Sequence, residues 1–359
     1  MSVDFTVAIP TYNGANRLPL LLEGLRSQIS LNSISWEIIV VDNNSSDDTA
    51  QVIQDYQSNW DLSVPLRYCF ELEQGSAFAR LRAVQEAKGE LIGFLDDDNL
   101  PDPNWIAEAY DFGQEYPRAG AYSGQIHGDF EVEPPENFDP IKQFLAIREH
   151  GPNPHPFQAE EIRLPPGASL VVRRKAWLDS VPPRPSLTGK LPGLFVQGDD
   201  YEPLLYMYKA GWEIWYNPAM HSYHKIPHWR LQRDYLLTLA RGCGLATCQL
   251  RLINATFWQK PMVITRTLLG NLRRVILHFL KYRGQLKTNL IAAFQLEFFW
   301  GSLISPFFVI RKLLQNKGTG NREQGTGNRK QGTGNREQGA GSREQGAGSR
   351  EQGAGSRDK

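Results

Sequence analysis

Three consecutive carboxylates, Asp96, Asp97 and Asp98, follow an apolar run at residues 91–95. Two unit charges about 4 Å apart repel by about 4 kcal/mol at an effective dielectric near 20, so water or a cation must compensate for the crowding. Because side chains alternate along a strand, we expect Asp96 and Asp98 to share one face and Asp97 to point away. Carboxylate oxygens that converge in this way suit Mg²⁺ or Mn²⁺, and the alternative is a solvated acidic turn before a helix.

Two further acidic positions lie where predicted elements meet. Asp42 ends an apolar strand and precedes an Asn-Asn-Ser-Ser sequence. Its carboxylate could accept hydrogen bonds from a base or a ribose, or it could cap the following helix. Asp199 and Asp200 follow Gly198 and precede a run with apolar residues on one helical face, so helix capping is one interpretation of this pair.

Apolar runs and helical spacings alternate along the first 95 residues. The pattern predicts strands at residues 5–9, 36–41, 66–70 and 90–95, and helices at residues 17–28, 47–56 and 76–87. Strands that alternate with helices indicate a parallel sheet covered on both faces. Ligands bind to such sheets at the carboxyl ends of the strands. We therefore expect the polar clusters at residues 10–14, 42–47 and 96–99 to meet at one edge and form a site.

The chain resembles the family 2 glycosyltransferases in five motifs that occur in series. They are VAIPTYNG at residues 7–14, IIVVDNNSSDDT at 38–49, Glu71 with QGSAFARLRA at 74–83, IGFLDDD at 92–98, and GDD at 198–200 followed by AGW at 210–212. The resemblance implies an α/β fold of the GT-A type, a Rossmann-like nucleotide-binding sheet covered by helices, with a C-terminal helical extension. The Pro-rich middle, IPHWR and ARGCG further resemble cyanobacterial enzymes of exopolysaccharide or hormogonium polysaccharide assembly.

The resemblance also implies roles for individual residues. It assigns the nucleotide sugar to Pro10, Tyr12, Asn13, Asp42, Arg80, Asp96 and Asp97. It assigns a metal ion to Asp98, Asp96 and His224, with His221 as the alternative histidine. Asp200 matches the catalytic base, and Asp199 stands where the family commonly has Glu.

These roles imply an inverting transfer from a nucleotide-diphosphate sugar, with a UDP-sugar favoured, to a glycan or lipid-linked acceptor in polysaccharide biosynthesis. Mn²⁺ or Mg²⁺ would neutralise the leaving diphosphate, and Asp200 would take the acceptor's proton. Two alternatives remain open. The first is a nucleotidyltransferase, which normally has a Gly-rich basic loop after the first strand, whereas this chain has PTYNGANR there. The second is a non-catalytic scaffold that binds nucleotide sugars at a membrane; such a protein has no need of a base, whereas this chain has Asp200.

Charge is distributed unevenly although its formal sum is zero. Residues 1–223 contain 32 acidic and 16 basic side chains, whereas residues 224–317 contain 2 and 15. The zero sum argues against a nucleic-acid partner for the chain as a whole. The N-terminus lacks a basic segment followed by a long apolar run, so we expect no signal peptide and a cytoplasmic enzyme.

The basic region contains two apolar helical patterns. Residues 261–281 place apolar side chains along one stripe among arginines, which fits a helix packed on the domain or one lying in a membrane interface. Residues 290–310 contain a single charge, Glu297, and their summed insertion free energy is close to zero. We expect a membrane-associated helix pair at the inner face of the plasma membrane, with soluble packing and a transmembrane span as alternatives.

The predicted organisation has three parts. Residues 1–240 form the GT-A domain, with a nucleotide-sugar half at 1–125 and an acceptor half at 126–240. Residues 241–317 form the basic helical region. Residues 318–359 are six heptapeptides with two glycines each and no apolar residue larger than alanine, which indicates a disordered tail.

Overall fold

The computed structural model describes residues 3–31, 33–60, 63–191 and 194–311. The chain divides into two compact units, Met1–Pro306 and Phe307–Lys359; residues 307–311 of the second unit are described, and they are helical. The predicted repeat tail at 318–359 lies outside the described residues.

Four apolar strands form the parallel half of the main sheet. They are β1 (Phe5–Thr11), β2 (Trp36–Asp42), β3 (Leu66–Phe70) and β4 (Leu91–Phe94), in the order β3-β2-β1-β4. Every residue of β2 is buried, as expected for a central strand covered on both faces. All neighbours in this half are parallel, so the parallel arrangement predicted for the first 95 residues is confirmed.

Four helices flank this part of the sheet. They are α1 (Leu18–Arg26), α2 (Thr49–Ser58), α3 (Ser76–Glu86) and α4 (Trp105–Glu115). The helical spacing predicted for α1 is confirmed, since Leu18, Leu21, Leu22 and Leu25 are fully buried. These leucines belong to one hydrophobic core with Phe5, Ile38 and Trp105. This core holds the loops after β1, β2 and β4 in place.

The other half of the sheet is mixed. It contains β5 (Asn99–Pro101), β6 (Ala119–Phe130), β7 (His155–Pro156), β8 (Leu170–Arg173) and β11 (Glu213–Ile226), while β9 (Lys190–Leu191) and β10 (Leu194–Phe195) form a separate antiparallel pair. β8 lies antiparallel between β4 and β6. The sheet is therefore not parallel throughout, because a strand from residue 170 enters beside β4.

Six more α-helices follow in the described part of the chain. They are α5 (Asp139–Lys142), α6 (Arg174–Ser180), α7 (Tyr201–Lys209), α8 (Arg233–Asn254), α9 (Lys260–Tyr282) and α10 (Leu290–Arg311). The predicted α/β class with a C-terminal helical extension is confirmed. α8 runs across residue 240, where a domain boundary was predicted, and that boundary stays a prediction.

Candidate active site

The carboxyl ends of β1, β2 and β4 meet beside one cavity of about 620 Å³. The backbone N–H of Asn43, after β2, donates to the carbonyl of Thr11 at 2.8 Å, so the loops after β1 and β2 lie side by side. Residues of all three predicted polar clusters line the cavity, namely Pro10, Thr11, Tyr12, Asn43, Asp96, Asp97 and Asp98. A volume of this size lies in the range of small-molecule sites.

Each of the three consecutive carboxylates has its own arginine. Asp96 accepts from Arg80 at 2.9 Å, Asp97 from Arg17 at 2.7 Å, and Asp98 from Arg230 at 2.9 Å. Arg17 immediately precedes α1, Arg80 lies in α3, and Arg230 lies in a 3-10 helix (His228–Leu231) before α8, so the three cations come from segments far apart in sequence. These ion pairs compensate the crowding of charge, so a purely solvated acidic turn is not what the chain forms.

Asp97 has a different environment from the one predicted for it. Asp96, Asp97 and Asp98 lie in a turn between β4 and β5, where strand alternation does not apply. Asp97 is 9% exposed and accepts from the Thr11 hydroxyl at 2.6 Å and from two nitrogens of Arg17. Burial raises the pKa of Asp97 and the charge of Asp98 adds to this, while Arg17 and Thr11 act in the opposite direction.

Arg80 connects the loop after β4 to the acidic pair before α7. Its Nη1 lies 3.2 Å from Oδ2 of Asp199, and the same oxygen accepts from the Ser76 hydroxyl at 2.5 Å. Arg80 is 7% exposed. Burial lowers the pKa of its guanidinium, but Asp96, Asp199 and Asp200 outweigh burial, so the net shift is upward and the charge is permanent.

Asp200 takes the N-cap position of α7, yet its side chain makes no capping hydrogen bond. Oδ2 instead accepts from the backbone N–H of Gly167 at 2.8 Å. A Cβ on Gly167 would lie 2.8 Å from Cζ of Arg80, so this close approach requires glycine. Burial, followed by the negative charge of Asp199, raises the pKa of Asp200 to about 6, a value suited to proton abstraction near neutral pH.

His224 lies 3.5 Å from Asp98, measured from Nε2 to Oδ2. Its Nδ1 is 2.8 Å from the carbonyl of Leu145, which can only accept, so Nδ1 carries the proton and Nε2 keeps its lone pair. Metal-binding histidines in proteins are commonly oriented in this manner. An imidazole nitrogen and a carboxylate are ligand types that a divalent cation accepts, but Arg230 holds Nε2 at 2.9 Å, and among the described residues no group of three or more His, Cys, Asp or Glu side chains is placed to hold a metal ion. The metal role of His224 and Asp98 stays a prediction.

Three residues considered from the sequence lie outside the cavity wall. Asn13 accepts from the N–H of Ser46 at 2.8 Å and so connects the first two loops. Asp42 accepts from the N–H of Ser45 and from the Tyr68 hydroxyl, each at 2.9 Å. His221 lies 2.9 Å from His127. The roles assigned to Asn13 and Asp42 stay predictions.

Sequence reasoning missed several residues of the cavity. Arg17, Ser76, Arg148 and Arg230 line it, together with an apolar wall that contains Phe144, Leu145, Leu239, Leu250 and Phe298. Arg17 lies three residues after the motif at residues 7–14, so a positively charged partner for the carboxylates could have been sought there. Arg80 was predicted to contact the nucleotide sugar, and it lines the cavity. The apolar wall comes from α8, α10 and the segment after α5, and no local pattern indicates that these elements meet.

Comparison with known proteins places the chain among sugar-transferring enzymes. Residues 6–164 match the family model described as glycosyl transferase family 2. Glucosyl-dolichyl phosphate glucuronosyltransferase of Haloferax volcanii is 23% identical over 65% of this chain and 72% of its own length. A GalNAc(5)-diNAcBac-PP-undecaprenol beta-1,3-glucosyltransferase of Campylobacter jejuni is 35% identical, over 26% of this chain and 29% of its own.

A solved structure supports the fold. The mannosyltransferase PcManGT from Pyrobaculum calidifontis, in complex with GDP-Man and Mn²⁺, superposes with a TM-score of 0.53 at 17% identity. The superposition covers 86% of this chain and 88% of the mannosyltransferase.

Proposed function

We propose, because the chain belongs to glycosyl transferase family 2, that it transfers a sugar from a nucleotide-diphosphate donor to a lipid-linked glycan acceptor with inversion. The observation that supports this most directly is the shared environment of Asp98, Arg80 and Asp200 in one cavity. It brings a candidate cation ligand, a fixed positive charge and a carboxylate with a pKa of about 6 to the same space.

The charge balance of the cavity favours a bound divalent cation. Its wall contains six carboxylates, at Asp96, Asp97, Asp98, Glu161, Asp199 and Asp200, and five arginines, at Arg17, Arg80, Arg148, Arg230 and Arg251. A diphosphate brings about two further negative charges into a low-dielectric space, which is costly without a counter-ion. Asp98 and His224 would hold Mn²⁺ or Mg²⁺, and the ion would stabilise the leaving diphosphate.

Asp200 would act as the general base. The acceptor hydroxyl attacks the anomeric carbon, the bond from that carbon to the diphosphate oxygen breaks, and the hydroxyl proton passes to Asp200. The nucleoside diphosphate leaves from the opposite face, so the anomeric centre inverts. The hydrogen bond from Gly167 fixes the Asp200 carboxylate, and Arg80 holds Asp199 so that only one carboxylate of the pair is free to accept the proton.

A lipid-linked acceptor agrees with two independent features. The two curated relatives described above are named for a dolichyl phosphate and an undecaprenol diphosphate substrate. The cavity wall includes the apolar side chains of Leu239, Leu250 and Phe298. An apolar wall beside a sugar site would accommodate part of a lipid chain. The narrower cyanobacterial assignment and the cytoplasmic location stay predictions.

The outer face of α9 is the proposed contact with the membrane. Seven of its large apolar side chains face solvent, since Met262, Leu269, Leu272, Ile276, Leu277, Phe279 and Leu280 are between 44% and 63% exposed. Its buried residues are polar, namely Thr267, Asn271 and His278. Arg266, Arg273, Arg274 and Lys281 lie on the same helix. A basic helix with its apolar face outward matches an anionic lipid surface.

α10 has a different position, although it is long and apolar enough to cross a membrane. Glu297 of α10 accepts from Arg241 of α8 at 2.7 Å. A Cβ on Gly301 would lie 2.4 Å from the carbonyl oxygen of Arg241, so the two helices pack closely. The contacts of Glu297 and Gly301 favour packing on α8 over a span, and they leave α9 as the membrane contact.

The decisive experiment is a donor screen with the purified full chain. Hydrolysis and binding are measured against a panel of UDP, GDP and dTDP sugars, with and without Mn²⁺, for the wild type, Asp98→Ala and Asp200→Asn. We expect one donor class to bind, with hydrolysis lost in both variants and donor binding retained in Asp200→Asn. Absence of binding to every donor in the wild type would refute the enzymatic function. Normal transfer by Asp200→Asn would show that another group is the base.

A further inference from the structure

A second groove of about 480 Å³ lies between α8 and α9, next to the cavity described above. It shares two wall residues, Ile162 and Arg251, with that cavity. The rest of its wall contains Glu160, Asn254, Gln259, Arg266, Asn271 and Arg274 among other residues. Three arginines from two helices therefore line one small groove with a single acidic side chain in its wall.

Two of these arginines hydrogen-bond to neutral side chains. Arg251 donates to the Thr267 hydroxyl at 3.4 Å and Arg274 to the amide oxygen of Asn271 at 3.2 Å. Among the described residues, none of the ion pairs includes Arg251, Arg266 or Arg274. By contrast, Arg17, Arg80 and Arg230 in the first cavity are all paired.

The electrostatics of the groove favour an anion. Burial lowers the pKa of Arg251, and the positive charges of Arg274 and then Arg266 lower it further. The three guanidinium charges repel one another because they are held close together. An anion bound among them offsets this repulsion and accepts charge-assisted hydrogen bonds. Guanidinium groups present planar pairs of N–H donors, which match phosphate oxygens in geometry.

We propose that Arg251, Arg266 and Arg274 bind the phosphate or diphosphate group of a lipid-linked acceptor. The position of the groove supports this in two ways. It adjoins the cavity that holds Asp200, so an acceptor sugar attached to the bound phosphate can reach the base. It lies at α9, which carries exposed apolar side chains, so the part of the lipid chain that extends beyond the apolar wall of the first cavity can leave along that helix. The inference rests on the proposed function, because it names the acceptor of the same transfer.

The test compares two matched double variants with the wild type. Arg266→Gln/Arg274→Gln removes two charges from the groove, and Arg283→Gln/Lys287→Gln removes two charges from exposed positions outside its wall. Unchanged melting temperatures and UDP affinities first establish that the variants fold. Binding of farnesyl diphosphate is then measured by calorimetry below its critical micelle concentration, with saturating UDP in the first cavity.

We expect the groove variant to bind farnesyl diphosphate at least tenfold more weakly, the control variant to bind as the wild type does, and Arg266→Lys/Arg274→Lys to recover part of the affinity. Equal affinity in the groove and control variants would overturn the site. Inorganic diphosphate that binds as tightly as farnesyl diphosphate would overturn the assignment to a lipid-linked acceptor and leave a site for free phosphate. Failure of the donor screen in the wild type, by contrast, would refute the proposed transfer itself.

Discussion

Arg230 donates to Asp98 with Nη2 2.9 Å from Oδ2, and the same guanidinium contacts Nε2 of His224 at 2.9 Å. Arg230 thus occupies both of the side chains that are the candidate ligands of a divalent cation. A cation that enters this site competes with a charge that is already there, and the arginine must turn toward another anion when the cation binds.

We therefore predict that Arg230→Gln binds Mn²⁺ more tightly than the wild type when nucleotide is absent. Loss of one positive charge next to Asp98 removes repulsion of about 1 kcal/mol or more, which corresponds to at least a fivefold gain in affinity. Electron paramagnetic resonance of free Mn²⁺ gives the dissociation constants directly. Weaker binding by the variant would mean that Arg230 supports the cation site. Asp98→Ala serves as the control and should bind Mn²⁺ poorly in either background.

The substitution Asp200→Asn should lower the turnover number while it stabilises the folded protein. We expect the turnover number to fall by about 10²–10⁴, the usual range for loss of a general base. The folded protein should become more stable at pH 8, because a carboxylate whose pKa is raised to about 6 costs free energy when it ionises. The gain is at most about 3 kcal/mol and should disappear below about pH 3, where the wild-type side chain is protonated in both the folded and the unfolded state. Melting curves at the two pH values measure it.

The pH dependence of the reaction follows from the same group. The base must be ionised, so kcat/KM should rise with pH through about 6 and then level off. Below that value the rate should fall about tenfold per pH unit. A profile measured between pH 4.5 and 8.5 with saturating cation tests this. A limb centred below pH 4.5 would contradict the environment described for Asp200.

Asp97→Ala should destabilise the fold rather than act on catalysis alone. Its carboxylate accepts from Thr11 and from Arg17, and its removal leaves the buried Thr11 hydroxyl and the half-exposed Arg17 guanidinium without this partner. Loss of such bonds costs about 1–3 kcal/mol. Urea unfolding of Asp97→Ala measures the loss. Glu23→Ala, which removes an exposed carboxylate of α1 paired with Arg26, is the matched control and should change stability by less than about 0.5 kcal/mol.

The outward face of α9 should be needed for binding to anionic vesicles. Leu269→Gln/Leu280→Gln removes two side chains that are 63% and 59% exposed, and we expect at least tenfold weaker binding to phosphatidylglycerol vesicles. Leu72→Gln/Leu178→Gln, at two exposed leucines elsewhere, should bind as the wild type does. Co-sedimentation with vesicles of defined composition provides the measurement. Equal binding of the two variants would exclude α9 as the contact.

The sequence allowed the parallel half of the sheet and the convergence of its loops to be predicted, because both depend on local patterns. The apolar runs of β1, β2 and β4 and the leucines of α1 are contiguous signals. The antiparallel entry of β8 and the pairing of Arg230 with Asp98 are different, since they join segments far apart in the chain. Likewise, the apolar stripe of α9 is visible in the sequence, whereas the direction in which it faces depends on what α8 and α10 leave uncovered.

The exposed apolar side chains of α9 affect how the protein behaves in solution. A helix with leucines outside and Thr267, Asn271 and His278 inside offers a ready contact to any other apolar surface in solution. In the absence of lipid, we expect another copy of the chain to supply that surface. The apparent mass of the purified protein should therefore fall as mild detergent is added, and crystals are more easily sought from detergent or nanodisc preparations than from plain buffer.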